Sequence, residues 1–311
     1  LIIYAAYRYT KTRIILLMRL KTEHEQRVNI ENMNQQKINF FTYISHDLKT
    51  PLTLILSPLQ RLIQQPQISN NDKEKLEVIY RNANRMNYLI NELLTFSKIE
   101  MKQMRISVRK GDIMHFLEEL SHIFDIVAGE REIDFIVNLE DTEEEVWFSP
   151  SKLERILYNL LSNAFKYTQP GGYVKLSAKL IKEEKGTFVQ ISVKDNGRGI
   201  PKEAQEQIFE SYYQVEKRDH REGFGLGLSL TRSLIHMHKG EIRVESEINK
   251  GSDFIVTLNV SEDAYNPDER SSENITTEEI QKYNQRIKET IELIPEKLTN
   301  KEKDQIGRAH V

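Results

Sequence analysis

The sequence predicts two unlike folds in tandem. An antiparallel helical hairpin, of the kind that dimerises into a four-helix bundle, precedes an α/β two-layer sandwich. Three observations lead there. Apolar residues recur at alternating three- and four-residue steps up to about residue 100, a helical period. A break at Pro66 followed by Ser69-Asn70-Asn71-Asp72 divides that helical stretch in two. From about Met104 onwards, short runs of strand period alternate with shorter helical runs.

The chain of 311 residues has room for about two domains and tails. Its net charge of −3 supplies no global basic field for nucleic acid. It contains no cysteine, which excludes disulfides, zinc-thiolate sites and thiol catalysis.

Residues 1–13 begin apolar, Leu1 to Tyr7, and continue with Arg8, Lys11 and Arg13. Seven residues are too few to cross a bilayer, which takes about 20. An apolar end before basic residues suits the cytoplasmic exit of a truncated membrane helix, with a frayed soluble helix as the alternative. Residues 14–38 are charged with sparse apolar positions (Ile14, Leu17, Val28, Met33, Ile38) and read as a helical, coiled-coil connector. Residues 39–104 form the hairpin. Phe41, Ile44, Leu48, Leu52, Ile55, Leu59 and Leu62 mark one face of its first helix, ending near Gln65. Leu76, Ile79, Ala83, Met86, Ile90 and Leu93 mark a heptad seam on the second, from about Lys73 to Met101. One hairpin has too little core to stand alone, so a homodimer is expected.

Residues 105–262 form the sandwich. Strands are expected at Ile106–Arg109, Ile133–Leu139, Glu145–Phe148, Tyr173–Ile181, Phe188–Val193, Glu241–Glu247 and Asp253–Val260. Helices are expected from Asp112 to Gly129, after a Ser149 cap with Pro150 in the first turn, and from Leu226 to His238. Residues 263–305 carry Ile280, Ile287, Ile291 and Ile294 at helical spacing but face no obvious core. They read as a linker to a further module. Residues 306–311, Ile-Gly-Arg-Ala-His-Val, match a translated sequencing adapter and are expected to be an assembly artefact.

His46 falls outside the seam of the first helix, so its imidazole points outward. With an ordinary pKa of about 6.5 it is largely neutral near pH 7, leaving a ring nitrogen for nucleophilic attack. Thr50 lies at i+4 on the same face, and Pro51 is expected to loosen the helix just beyond. Four clusters in the second domain suit a nucleotide. Asn159 and Asn163 share a helix face, with Lys166 and Tyr167 close by. Amide oxygens and a cation suit Mg²⁺ on phosphates, though two asparagines alone also suit a polar surface. Asp195-Asn196-Gly197-Arg198-Gly199-Ile200 follows a strand. Its glycines permit close approach of backbone to a flat base, and its carboxylate can accept from an exocyclic amine. Ile208-Phe209 opens an apolar, aromatic patch. Gly223-Phe224-Gly225-Leu226-Gly227-Leu228 opens a helix, where backbone donors bind phosphate. No strand leads directly into it, which disfavours a dinucleotide-binding turn.

Ser45-His46-Asp47-Leu48-Lys49-Thr50-Pro51-Leu52 resembles the phosphoacceptor box of sensor histidine kinases. The four clusters, in this order, resemble the asparagine, first glycine, phenylalanine and second glycine boxes of that family's ATP-binding domain, the Bergerat or GHKL fold shared with gyrase and heat-shock ATPases. The likeness runs from about Asn39 to Val260. It implies ATP-dependent autophosphorylation of His46, with Asp47 orienting or deprotonating the ring, and transfer to an aspartate of a response-regulator receiver. It also implies Thr50 in a phosphatase activity, Asn159 and Asn163 on Mg²⁺, and Lys166 and Tyr167 at the phosphates. Asp195 would read the adenine amine, Gly197, Gly199, Ile200 and Phe209 would shape the base pocket, and Gly223, Gly225, Leu226, Gly227 and Leu228 would form the lid and its helix. Lys217, Arg218 and Arg221 fall in that lid. Phe224 departs from the small residue common there, and Ser149 from a common acidic one. The resemblance places the chain on the cytoplasmic side of a bacterial inner membrane, as a possible piece of a hybrid sensor kinase. A nucleotide-binding pseudokinase scaffold and a plain ATPase of the same fold are the alternatives.

Overall fold

The computed structural model describes residues 47–65, 68–101, 103–142, 144–214, 225–273 and 275–291, with scattered helical positions before residue 47. Helix α1 covers residues 47–63 and continues through Pro51 and Pro58. Helix α2 (Asn70–Glu100) starts where Ser69 accepts from the Asp72 N–H, as the turn residues predict. Half of the described apolar seam residues of this hairpin stay open to solvent in one chain. Leu48, Ile55, Ile79 and Met86 are all exposed, Met86 at 54%.

The second domain holds the large core. A five-stranded sheet has the order β2-β4-β5-β7-β6, with β2 (Asp134–Leu139), β4 (Tyr173–Glu183), β5 (Gly186–Asp195), β6 (Glu241–Glu247) and β7 (Gly251–Asn259). The β2–β4 pair is parallel and the others are antiparallel. Alternation puts Val174, Leu176, Val189, Ile191, Val193, Val256 and Leu258 on one face, all buried. Helices α3 (Ile113–Arg131), α4 (Pro150–Tyr167) and α5 (Gly227–Met237) cover that face. Phe116, Leu117, Leu120 and Phe124 of α3 are fully buried, each worth about 1.5–3 kcal/mol relative to exposure. A two-stranded sheet, β1 (Arg109–Asp112) with β3 (Glu145–Phe148), closes one end.

Three expectations need correction. The first strand lies at Arg109–Asp112 rather than Ile106–Arg109, because pairing with β3 runs Arg109↔Phe148 to Asp112↔Glu145. Ser149 stands at the start of α4, but its side chain caps nothing. Its N–H donates instead to Nε2 of His238 at 3.2 Å. The third correction is the largest: residues from 263 to 291 are not a free linker. The Val108 N–H donates to Glu269 O at 2.8 Å, and the Ser271 N–H to Val108 O at 2.9 Å, stitching the extension to the small sheet. Helix α6 (Thr277–Ile291) then buries Ile280, Tyr283 and Ile287 in the main core, against α3 and α4. Tyr283 meets Phe116 edge-on at 5.8 Å, and Arg109 makes a two-pronged ion pair with Glu279 at 2.6 and 2.7 Å. The missed signal was Tyr283, which joins Ile280 and Ile287 into an i, i+3, i+7 stripe.

Candidate nucleotide site and its junction with the hairpin

The candidate residues gather where α4, the end of β5 and the start of α5 converge. Asn159 sits on α4 between buried turns and is itself buried. Its amide nitrogen donates to Gly227 O at 3.3 Å and Thr231 Oγ1 at 3.1 Å, at the opening of α5. Asn163, one turn on, is half-buried and makes no side-chain hydrogen bond among the described residues. Lys166 and Tyr167 follow at the end of the helix. The Lys166 ammonium donates to the Tyr167 hydroxyl at 3.2 Å and lies 4.8 Å from its ring centre, while the Arg198 guanidinium lies 4.4 Å from that centre. Cations about the ring make this a positive corner.

Asp195 ends β5 and is buried. Burial pushes its carboxyl pKa up, opposed by the N–H groups of Gly197 and Ser252. The Gly197 N–H donates to Asp195 Oδ1 at 2.8 Å, leaving carboxylate lone pairs for another donor. Gly199 has φ +70°, and a Cβ there would run into the Glu247 carbonyl. Gly197 lets the loop lie against the Tyr167 carbonyl, and Gly199 lets it lie against Glu247. A third glycine, which the sequence had marked only as a turn, serves the same end: a Cβ on Gly251 would strike the Asp195 carbonyl. The Ile200 N–H donates to Ser246 Oγ at 2.8 Å. Phe209 is buried against Phe254, with Arg232 over its ring.

Gly225 (φ +70°) and Leu226, which is buried, lead into α5, with Gly227 and the half-buried Leu228 in its first turn. Gly223, Lys217, Arg218 and Arg221 lie outside the described residues, and so does His46. Asp47 and Thr50 are exposed on α1.

The junction between hairpin and sandwich was not expected from the sequence. Glu92 and Ser97 of α2 are buried, and Tyr88 and Phe96 share a face with Glu92 at i, i+4 and i+8. The Tyr88 hydroxyl lies 3.0 Å from Glu92 Oε1 and 3.3 Å from Asn159 Oδ1. Arg155 of α4 donates to Glu92 Oε1 at 3.2 Å and to Thr95 Oγ1 at 2.8 Å. Phe96 meets Tyr212 edge-on at 6.2 Å. Tyr212 holds a left-handed φ of 67°, costing on the order of 1 kcal/mol, and its N–H donates to Gly225 O at 3.0 Å.

Comparison with known proteins decides the family. Residues 36–102 match the model described as His Kinase A (phospho-acceptor) domain, and residues 149–262 match Histidine kinase-, DNA gyrase B-, and HSP90-like ATPase.

The chain belongs to the sensor histidine kinases.

It is 33% identical to Histidine kinase P4 of Formosa agariphila over 96% of this chain and 22% of that protein. It is 33% identical to sensor histidine kinase WalK of Bacillus subtilis over 75% of this chain and 38% of that protein. The chain therefore spans well under half the length of these relatives. Among solved structures, full-length ShkA in complex with AMPPNP aligns with a TM-score of 0.61 at 24% identity, covering 71% of this chain and 45% of that one, a likeness of fold. Residues 263–291 fall outside both matched models, although Ile280, Tyr283 and Ile287 share the ATPase domain's core. Among the described residues no helix is long and apolar enough to cross a membrane.

Proposed function

We propose that this chain is the kinase portion of a two-component sensor, in which His46 takes the γ-phosphoryl group of ATP and passes it to an aspartate of a response-regulator receiver. The observation that carries the reading is one chain holding both parts. The run His46-Asp47-x-x-Thr50-Pro51 lies in the phosphoacceptor match, and the convergence of Asn159, Asn163, Asp195 and Gly227 lies in the ATPase match. A ring nitrogen of His46 forms the new N–P bond as the bond from γ-phosphorus to the ADP oxygen breaks, and Asp47 takes the ring proton or orients the imidazole.

The residues suit a magnesium nucleotide. Asp195, with Gly197 and Gly251 close against it, accepts from the adenine amine. Lys166, Tyr167 and the backbone opening α5 face the phosphates. The donors from Asn159 and Asn163 are hard, neutral oxygens, which suit Mg²⁺ better than a softer metal. When bound, Mg²⁺ supplies charge neutralisation at the phosphate oxygens.

The open apolar faces of α1 and α2 support a homodimer through a four-helix bundle. Asp47 and Thr50, exposed one turn apart on α1, support a second activity towards the phospho-receiver. Membrane association and a location on the cytoplasmic face of a bacterial inner membrane belong to the same proposal. The test is incubation with labelled ATP and Mg²⁺ beside His46→Gln. Acid-labile, alkali-stable label absent from the variant is expected. Bound nucleotide with no label on an assured dimer would return the chain to the pseudokinase reading, and ATP hydrolysis without label to the ATPase reading.

A further inference from the structure

Helix α2 has two distinct faces. Its heptad seam is left open by a single chain, whereas Tyr88, Glu92 and Phe96 turn towards the ATPase domain. That second face touches the very side chain assigned above to the metal. We propose that Tyr88 is a positioning residue that holds the Asn159 carbonyl oxygen towards α2, so that docking of α2 on α4 and binding of the metal–nucleotide through Asn159 exclude each other. The inference rests on the assignment of Asn159 to Mg²⁺ made above.

The amide orientation follows from its partners. Gly227 O can only accept, so the –NH₂ of Asn159 must face α5, where it reaches Gly227 O and Thr231 Oγ1. The carbonyl oxygen is thereby left on the side of α2, 3.3 Å from the Tyr88 hydroxyl. That hydroxyl has one proton and two acceptors, Glu92 Oε1 and Asn159 Oδ1. Glu92 Oε1, which also accepts from Arg155, is the nearer acceptor, so the phenol proton is shared between Glu92 and Asn159. The ring packs edge-on against Tyr158 at 6.2 Å. A phenol keeps its proton near neutral pH, so the hydroxyl remains a donor.

An oxygen that accepts from the half-buried Tyr88 phenol and faces α2 is not presented to a cation on the Asn163 side. For Asn159 to serve a metal, the Tyr88 contact must open. Phe96, on the same face of α2, meets Tyr212 edge-on, so the same opening would part those rings. Coupling of this kind is reciprocal: whatever factor docking takes from metal–nucleotide affinity, the metal–nucleotide takes from docking.

The test uses the full chain and Tyr88→Phe, which keeps the ring and its contact with Tyr158 and removes only the hydroxyl. Affinity for the non-hydrolysable analogue AMPPNP is measured by calorimetry with Mg²⁺ and with chelator. Hydrogen exchange is followed over residues 84–97. The variant is expected to bind the Mg²⁺ form about five-fold tighter, the size of one net hydrogen bond, and the metal-free form equally. Mg²⁺·AMPPNP is expected to speed exchange in 84–97 of the wild type, and Tyr88→Phe to show that faster exchange without ligand. Unchanged or weaker Mg²⁺-dependent affinity in the variant overturns the proposal. So does an equal gain with and without metal, which would make Tyr88 a mere prop of domain arrangement. If nucleotide binds but Mg²⁺ changes nothing in either protein, the metal role of Asn159 falls while the nucleotide site stands. If neither protein binds nucleotide, the proposed function itself fails and this inference with it.

Discussion

Helix α4 is gripped from two sides, and the two grips are chemically opposite. Towards α6 it meets a stripe of Ile280, Tyr283 and Ile287, all buried, with Tyr283 reaching across to Phe116 of α3. Towards α2 it meets Tyr88, Glu92 and Thr95 through Arg155 and Asn159, a junction of hydrogen bonds and one ion pair beside a single ring contact, Tyr88 on Tyr158. Apolar burial is nondirectional and has no competing partner in water, so the α6 side is a permanent part of the domain. Polar groups exchange protein partners for water at little net change, so the α2 side can open and close. The helix that carries both candidate metal ligands thus has a fixed wall and a releasable one.

The largest expected effect tests the fixed wall. Tyr283→Ala should destabilise the ATPase domain by about 3 kcal/mol or more, as a buried aromatic truncation does. Denaturant unfolding of the full chain, followed by the single tryptophan, Trp147, reads this. A change within about 0.5 kcal/mol, the range of ordinary surface substitutions, would mean that α6 is no part of the core.

The next effect concerns the start of α4, held by His238. Its Nδ1–H donates to Leu234 O at 3.0 Å, and Nε2 accepts from the Ser149 N–H. Burial is the main cause that drops its pKa to about 4, with Lys152 adding to the drop. A base whose folded pKa is depressed below the unfolded value of 6.5 contributes stability that is complete above pH 6.5. That stability is lost as pH falls towards 4, and it amounts to roughly 3 kcal/mol. Unfolding free energies of His238→Gln should be flatter across that window than those of the wild type. Parallel curves would rule out the neutral buried imidazole as the cause.

The releasable wall comes third. Arg155→Ala leaves Glu92 buried without its cation and should cost about 2 kcal/mol, whereas joint replacement of Glu92 and Arg155 by leucine should be close to neutral. A double replacement as damaging as the single would show that the junction is as permanent as the α6 side.

The smallest effect lies between the walls. Glu154, facing Arg286 of α6 and Arg155, has its pKa raised to about 7, chiefly by burial. An acid with a raised folded pKa contributes stability that is full below pH 4.5 and lost as pH rises through 7. Glu154→Gln should therefore stabilise the protein more at pH 8 than at pH 5, by about 1 kcal/mol once partial exposure is discounted. An equal effect at both pH values would place the carboxylate in water.

Glu145–Phe148 and Glu241–Glu247 were expected as strands and are strands at those bounds, because alternation over a half-buried sheet is a local pattern. Ser69 was legible as a cap for the same reason: its partner, Asp72, is three residues away. His238 was not legible, since its partner N–H lies 89 residues off and nothing in a lone histidine marks a buried acceptor. Tyr88 and Glu92 lie off the heptad seam, where local spacing gives them no role, and only the arrival of α4 covers them. Gly251 read as a plain turn, and its closeness to Asp195 comes from the β5–β7 pairing.

The sequence by itself determined what depends on near neighbours: helix and strand periods, the cap in the Ser69 turn, the His46 run and the nucleotide boxes. The tertiary structure alone decided where the domain ends, which glycines press on Asp195, and which way the Asn159 amide faces. Those outcomes depend on long-range contacts, in which buried polar atoms and apolar faces must find partners far along the chain, and no local spacing encodes which partner arrives.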